Sequence, residues 1–152
     1  MELLRVTGAG PELEEIRALF LEYAGQLGFS LCFQGFDAEL AGLPGAYAPP
    51  GGALLLAPGQ GCVALRPLDP ATAELKRLYV RPAARGAGLG RRLTLAAIAE
   101  ARERGHQKLV LDTVAGQMDA AISMYRALGF REIAPYTKNP VPGALCLELA
   151  LR

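Results

Sequence analysis

The chain has 152 residues, and its 16 Lys and Arg against 15 Asp and Glu give a formal net charge of +1. Apolar residues make up 51% of the chain and its mean hydropathy is +0.22, which excludes an intrinsically disordered protein. The length predicts a single domain over residues 1–152, with one core. The charge balance gives no reason to expect a nucleic acid or an anionic membrane as partner.

The sequence predicts a cytoplasmic location. No apolar run reaches the roughly 18 residues of a membrane span, and the first residues lack the layout of a signal peptide. The three cysteines, Cys32, Cys62 and Cys146, are widely spaced and form no metal-binding pattern. We therefore expect reduced thiols and no metal site, and homodimer formation is left open.

Apolar periodicity and turn residues predict a series of strands and helices. In chain order the predicted elements are a strand at Glu2–Val6, a helix from Pro11 to Gly28, a short helix near Asp37–Ala41, strands at Ala53–Ala57, Cys62–Leu65 and Ala73–Val80, a helix at Leu89–Glu103, a strand at Lys108–Asp112, a helix with its apolar stripe from Met118 to Leu128, and strands at Phe130–Ile133 and Leu145–Leu149. Strands and helices alternate through the middle, which predicts an α/β sheet with crossover connections. Hairpins toward each end make that sheet mixed.

A glycine-rich run, Arg85-Gly86-Ala87-Gly88-Leu89-Gly90, stands between a predicted strand and a predicted helix. Glycines in this place let backbone N–H groups approach an anion closely, and the helix N-terminus adds a partial positive charge. The run therefore predicts a phosphate or pyrophosphate site. The arginines expected around this site are Arg77, Arg81, Arg85, Arg91 and Arg92.

Three phosphate-binding patterns and a turn without ligand compete for this run. A P-loop needs Lys-Ser or Lys-Thr after its last glycine, whereas Gly90 is followed by Arg91. The dinucleotide fingerprint Gly-x-Gly-x-x-Gly fails because its third glycine falls one residue early. The third pattern has the spacing Arg85-x-x-Gly88-x-Gly90.

This third spacing resembles the acetyl-CoA pyrophosphate loop of the GNAT acetyltransferase superfamily. The segment Tyr125-x-x-x-Gly129-Phe130 resembles a second diagnostic segment of that superfamily, and the resemblance is strongest from Glu74 to Glu132. It implies an α/β (α+β), single-domain GNAT-like fold, with a mixed, mostly antiparallel central sheet of about seven strands flanked by helices on both faces. It also implies an N-acetyltransferase that uses acetyl-CoA as co-substrate.

The resemblance places a strand and the loop after it against acetyl-CoA. In the family this strand parts from its neighbour, so that backbone amides are free to pair with the pantetheine arm. Many relatives carry Asn seven residues before the tyrosine, where this chain has Met118, so that hydrogen bond to the cofactor is not expected. The residues implied at acetyl-CoA are Leu78, Tyr79, Val80, Arg85, Gly86, Ala87, Gly88, Leu89, Gly90 and Arg91.

Acetyl transfer from a thioester to an amine needs a base for the ammonium and an acid for the leaving thiolate. The resemblance makes Tyr125 the acid, and its usual pKa near 10 suits that role; plain core packing is the alternative. Glu74, on the strand before the loop, is the candidate base, against pairing with Lys76, a solvated edge position, or a relayed water as base. His106, the single histidine, is expected at the surface or capping a helix.

The acceptor site is predicted from the segment after the first helix and from the last strands. The candidate substrate-binding residues are Phe33, Gln34, Tyr136 and Asn139. Aromatic rings with a few amides suit a small, partly apolar amine as acceptor. This amine is expected to attack the thioester directly. A protein N-terminus or lysine is the alternative acceptor. A non-catalytic acyl-CoA-binding module and a domain that binds another phosphate ligand are the rival functions.

Overall fold

Seven strands form one sheet in the computed structural model, which describes residues 2–152 except the side chain of Phe33. The elements in chain order are β1 (Leu4–Arg5), α1 (Pro11–Gln26), α2 (Phe36–Ala41), β2 (Ala53–Ala57), β3 (Gly61–Pro67), β4 (Thr72–Val80), α3 (Leu89–Glu103), β5 (Lys108–Val114), α4 (Asp119–Ala127), β6 (Arg131–Ile133) and β7 (Ala144–Ala150). Short 3-10 turns lie at Cys32–Gln34, Gly45–Tyr47 and Pro82–Ala84. None of the helices in this described part meets the length and apolarity needed to cross a membrane.

The strand order is β1-β2-β3-β4-β5-β7-β6. Only the pair of β4 and β5 is parallel, because α3 carries the chain across the sheet between them. The other neighbouring strands are antiparallel. The predicted mixed, mostly antiparallel sheet with helices on both faces is therefore confirmed.

Continuous apolar runs in the strands supply buried residues to both faces of the sheet. In β2, Leu54 and Leu56 pack with Phe20 of α1, whereas Leu55 packs with Leu93 of α3 on the opposite face. Because successive side chains of a strand alternate between faces, one run of leucines supplies two cores. The catalytic candidate Tyr125, on α4, belongs to the core on the α3 face.

A β-bulge interrupts the pairing of β3 with β4. Cys62 lies opposite Tyr79 and Ala64 opposite Lys76, so two β4 residues face one residue of β3. Arg77, one of the two, has φ of 59° and is the non-glycine residue with positive φ within residues 2–152. A bulge bends its strand and increases the local twist, which changes how β4 meets its other neighbour.

His106 departs from its expected surface or capping position. Its backbone N–H donates to the Ala101 carbonyl at 3.2 Å, so the residue does follow the last turn of α3. Its ring is buried, however, with 5% of the residue exposed. Gly105, with φ of 81°, follows α3, and His106 leads directly into β5, whose residues Leu109 and Val110 are buried as well.

Candidate active site

A cleft opens where β4 and β5 separate. The two strands pair only between Thr72–Glu74 and Lys108–Val110, and no ladder pair joins them beyond that point in the described chain. The resulting cavity of about 520 Å³ reaches through the sheet, since Gln34 lines it on the α1 side and Tyr125 on the α3 side. One edge of β4 is thereby left without a strand partner, as predicted for Leu78, Tyr79 and Val80, and all three line the cleft.

The bulge beside this opening is held by one buried guanidinium. Arg77 donates from Nε and Nη2 to the two carboxylate oxygens of Glu39, at 2.9 and 2.8 Å. Its Nη1 donates to Gln34 Oε1 at 2.7 Å, and its charge lies 5.3 Å from the centre of the Phe36 ring. These contacts offset the cost of a left-handed backbone at a non-glycine residue.

The glycine-rich loop ends the cleft at the start of α3. Gly86 and Gly88 have φ of 92° and 78°, a backbone conformation that favours glycine. Within the described residues, none of the backbone N–H groups from Gly86 to Arg91 donates a hydrogen bond to a protein acceptor. The loop thus presents a row of free donors at a helix N-terminus, the arrangement that binds phosphate.

The space in front of this loop is open. A Cβ added to Gly90 would meet only Val80 Cγ2, at 3.9 Å, and one added to Gly88 would meet nothing within 4 Å. Contacts within the described protein therefore do not require a glycine at position 90. Except for Ala87, the residues predicted at the loop line the cleft.

Two of the five arginines expected around the phosphate are used elsewhere. Arg77 lines the cleft but is bound by Glu39, and Arg81 forms a salt bridge with Glu22 at 2.8 Å, so both guanidinium groups already have a carboxylate partner. Arg85 holds the loop to the strand, because its Nε donates to the Val80 carbonyl at 2.9 Å and its Nη2 to Gln26 Oε1 at 3.0 Å. Arg91 lines the cleft.

Tyr125 projects from α4 into the cleft. The residue is 4% exposed, and its ring packs on Phe130 with centroids 5.4 Å apart. Its hydroxyl has no hydrogen-bond partner within residues 2–152. Burial raises the pKa of Tyr125, so the hydroxyl keeps its proton and is available as a donor. Met118, at the start of α4, lines the cleft and accepts a hydrogen bond at Sδ from Thr113 at 3.2 Å.

Glu74 lies in the last paired stretch of β4 and is 2% exposed. Arg66 Nε donates to its Oε1 at 2.7 Å, and the Tyr136 hydroxyl donates to its Oε2 at 2.6 Å. The carboxylate is thus paired with Arg66, neither with Lys76 nor with solvent. Neither Glu74 nor Tyr136 is among the residues that line the cleft in the described chain.

The match to known proteins agrees with this geometry. The model of the acetyltransferase (GNAT) family matches residues 45–130. An uncharacterized N-acetyltransferase of Schizosaccharomyces pombe is 36% identical over 146 residues, which cover 92% of this chain and 89% of that protein. The chain belongs to the GNAT acetyltransferase family. The predictions of this family and of an acyltransferase are confirmed.

Solved structures share the fold of this GNAT chain along its whole length. An acetyltransferase from Streptococcus agalactiae superposes with a TM-score of 0.77 at 21% identity, covering 98% of this chain and 97% of that one. A GNAT acetyltransferase from Elizabethkingia anophelis, solved with acetyl-CoA bound, gives a TM-score of 0.69 at 22% identity, covering 98% and 97%. The GNAT-like fold is therefore confirmed.

The predicted acceptor residues converge on two carboxylates of the sheet. Gln34 Nε2 and Asn139 Nδ2 donate to Asp112 Oδ2 at 3.5 and 3.0 Å, whereas Tyr136 binds Glu74. Gln34 lines the cleft, whereas Tyr136 and Asn139 are not among the described residues that line it. Phe33 lies in a 3-10 turn, and its side chain is outside the part of the chain that the structure describes.

Sequence reasoning missed two charged residues of this GNAT cleft, Lys76 and Asp112. Each is an ionisable residue inside an otherwise apolar strand run, which is the signal that could have found them. Leu75 and Leu111 belong to the core on the α3 face, so strand alternation turns both charged side chains to the opposite face.

Proposed function

We propose that this chain transfers the acetyl group of acetyl-CoA to a primary amine, by direct attack of the amine on the thioester. The acceptor is a small or amino-acid-like molecule. The observation that carries the proposal is the row of free N–H donors from Gly86 to Arg91, set at one end of a cleft that crosses the sheet. A cytoplasmic location and a single-domain organisation stay predictions of the sequence, and homodimer formation stays open.

The loop has the properties that a pyrophosphate requires. Its amides are unpaired, the N-terminus of α3 adds positive potential, and Gly90 leaves room that a larger side chain would fill. The unpartnered edge of β4 supplies further backbone groups for an extended arm along Leu78, Tyr79 and Val80. Acetyl-CoA combines these two parts, and the structure from Elizabethkingia anophelis contains it.

Tyr125 would supply the proton for the leaving group. The neutral amine nitrogen forms a bond to the acetyl carbonyl carbon, the carbon–sulfur bond breaks, and the Tyr125 hydroxyl protonates the thiolate. The proton that the nitrogen loses on becoming an amide then restores the Tyr125 hydroxyl. A buried hydroxyl without a protein partner, whose pKa is raised by burial, remains protonated until that moment. This availability favours catalysis over a module that only binds acyl-CoA.

Glu74 remains the predicted base that takes the proton of the ammonium. Its carboxylate is held between Arg66 and Tyr136, and Glu74 is not among the described residues that line the cleft. It would therefore act through an intervening group such as a water. A water relayed by backbone carbonyls, without Glu74, is the competing base. Substitution of Glu74 separates these two.

The decisive experiment compares two glycine variants in helices. Gly90→Val places branches in the space before the loop, whereas Gly25→Val, in α1, meets nothing within 4 Å and serves as control. We expect calorimetry to show acetyl-CoA affinity reduced at least about tenfold for Gly90→Val, because branches displace phosphate oxygens from charge-assisted donors. Both variants should keep the parent unfolding temperature.

Thiol release then tests the transfer. The parent enzyme is incubated with acetyl-CoA and a panel of small amines, amino acids and peptides. Unchanged acetyl-CoA affinity in a folded Gly90→Val variant would place the phosphate site elsewhere. Tight binding of acetyl-CoA without thiol release for any acceptor would identify a binding module instead, and preference for ATP or NAD would identify another phosphate-binding function.

A further inference from the structure

Two opposite charges lie on one face of the cleft, at equivalent positions of the separating strands. Glu74 pairs with Val110 at the last rung between β4 and β5, so Lys76 and Asp112 each stand two residues beyond it. Side chains two residues apart lie on the same face of a strand. Both residues line the cleft, on the side where α1 and the turn Cys32–Gln34 pack.

Lys76 forms no salt bridge within the described residues, although the carboxylates of Glu74 and Asp112 are near enough to act on its charge. Lys76 is 9% exposed, and its Nζ donates one hydrogen bond, to Gln34 Oε1 at 3.0 Å. An ammonium group has three donors, so two remain available. Burial and then the neighbouring Arg77 guanidinium lower the pKa of Lys76. The nearby carboxylates of Glu74 and Asp112 act in the opposite direction, but neither forms a salt bridge with Lys76. A substrate carboxylate could therefore bind the two free donors of the ammonium directly.

Asp112 likewise forms no salt bridge among residues 2–152. Its Oδ2 accepts hydrogen bonds from Asn139 and Gln34, at 3.0 and 3.5 Å, and both of these groups are neutral amides. Its Oδ1 accepts none from the described chain. An ammonium group placed at Oδ1 would meet a fixed, oriented carboxylate.

The other charges on this face are already paired with one another. Arg77 is bound by Glu39, and Glu74 is bound by Arg66. Gln34 stands between the two unpaired residues, accepting from Lys76 and donating to Asp112, and so holds their side chains apart. No salt bridge joins Lys76 to Asp112, which leaves one positive and one negative group facing the same space.

We propose that Lys76 and Asp112 form a site for a zwitterionic acceptor, an amino acid whose carboxylate binds Lys76 and whose ammonium binds Asp112. This inference rests on the proposed acetyl transfer to an amine. An alkylamine would leave Lys76 without its counter-charge, and a peptide N-terminus has no adjacent carboxylate. Because a buried charge without a partner is costly, both acceptors would bind more weakly than an amino acid.

The test compares amino acids with their carboxamides. Thiol release at saturating acetyl-CoA gives kcat/KM for L-amino acids, β-alanine and γ-aminobutyrate, each paired with its amide. The parent should prefer the acid by about 10- to 100-fold, the range for a hydrogen bond between charged groups. Lys76→Met should bring the ratio close to one, mainly through KM for the acid, while turnover of the amide persists.

The controls use charges inside and outside the cleft. Lys108→Met removes a lysine that lies at the far end of β5, beside Glu148, and should keep the parent ratio. Asp112→Asn should lower kcat/KM for acid and amide alike, by about 10- to 100-fold, because both carry the ammonium. Comparing ratios between parent and variant cancels the different basicity of acid and amide amines. Acetyl-CoA affinity and the unfolding temperature establish that each variant is folded.

The possible outcomes distinguish failure of the zwitterion site from failure of the proposed acetyl transfer. Turnover of amines or peptides without preference for the free carboxylate overturns the zwitterion site and leaves acetyl transfer in place. Equal loss of acid and amide turnover in a folded Lys76→Met variant also overturns it, because the lysine would then serve the chemistry or the fold. Absence of turnover for every acceptor, with acetyl-CoA bound, refutes the transfer function itself.

Discussion

Replacement of Glu39 by Gln should destabilise the protein through the bulge in β4. The side chain of Arg77 is only 2% exposed and that of Glu39 16%, so the pair lies in a region of low dielectric constant. Arg77 makes two of its three side-chain hydrogen bonds to this one carboxylate. Glu39→Gln keeps the shape of the side chain but removes its charge.

The magnitude follows from what the guanidinium would lose. An amide oxygen can still accept one hydrogen bond from Arg77, but the amide N–H₂ would face an N–H donor in place of the second acceptor. Breaking a buried pair by removing one charge costs about 3–5 kcal/mol, because the remaining ion is uncompensated. For a chain of this size that loss corresponds to a fall in unfolding temperature of roughly 6–20 °C.

Thermal unfolding of the parent and the variant measures this directly. Glu132→Gln is the matched control. Its partner Arg126 is 3.7 Å away, and both side chains are largely exposed, Glu132 at 59% and Arg126 at 50%. An exposed pair of this kind contributes little, and the control should unfold near the parent temperature. An unfolding temperature of Glu39→Gln equal to that of the control would refute the claim that this pair holds the bulge.

Three further predictions concern single side chains. Tyr125→Phe removes a hydroxyl that has no protein partner, so it should lower kcat by roughly 100-fold or more while acetyl-CoA affinity and the unfolding temperature stay near those of the parent; wild-type turnover would return the ring to a packing role. Glu74→Gln should slow transfer most at low pH, where the acceptor amine is protonated, and a pH–rate profile parallel to that of the parent would favour the relayed water. The hydrogen bond from Arg81 lowers the pKa of Glu22 from 4.5, so this pair stabilises the fold above that pH and the stabilisation is lost as the pH falls through the lowered pKa. Arg81→Met should accordingly unfold at a lower temperature than the parent at neutral pH, with a difference that shrinks in acid; a difference independent of pH would contradict the pairing.

The parts of the site that the sequence predicted are local in the chain. The loop from Arg85 to Gly90 combines glycines, a preceding strand and a following helix within a few residues, and each feature constrains the backbone there. Tyr125 lies on an apolar stripe of α4, so its inward direction follows from helical periodicity. No distant contact is needed to anticipate either of them.

The bulge could not be predicted in the same way. Arg77 was expected near the phosphate because it precedes the glycine-rich loop in a run of sequence that is rich in arginine. Its direction is set instead by Glu39 and Gln34, which lie about forty residues earlier, and by a register shift against β3. A left-handed arginine is rare, so no local propensity favours it, and only the assembled contacts stabilise it.

Glu74 shows how strand register decides a role that residue type leaves open. Alternation along β4 already places Glu74 and Lys76 on one face, so their pairing was a reasonable alternative to catalysis. The antiparallel register puts Arg66 of β3 opposite Glu74, and the segment after β6 brings Tyr136 to its other oxygen. Both carboxylate oxygens of Glu74 therefore accept hydrogen bonds from these two partners, and Lys76 lines the cleft without a salt bridge to Glu74.

The separation of β4 from β5 beside the bulge shapes the cleft on both faces of the sheet. The bulge at Arg77 bends β4 where its pairing with β5 has ended, and this separation leaves the β4 edge free toward the loop. Without that separation Lys76 and Asp112 would be direct neighbours in a parallel ladder and would neutralise each other. Gln34 lies between them instead, and the two side chains form no salt bridge with each other. Closing the bulge should thus impair acetyl-CoA binding and the proposed acceptor selection together.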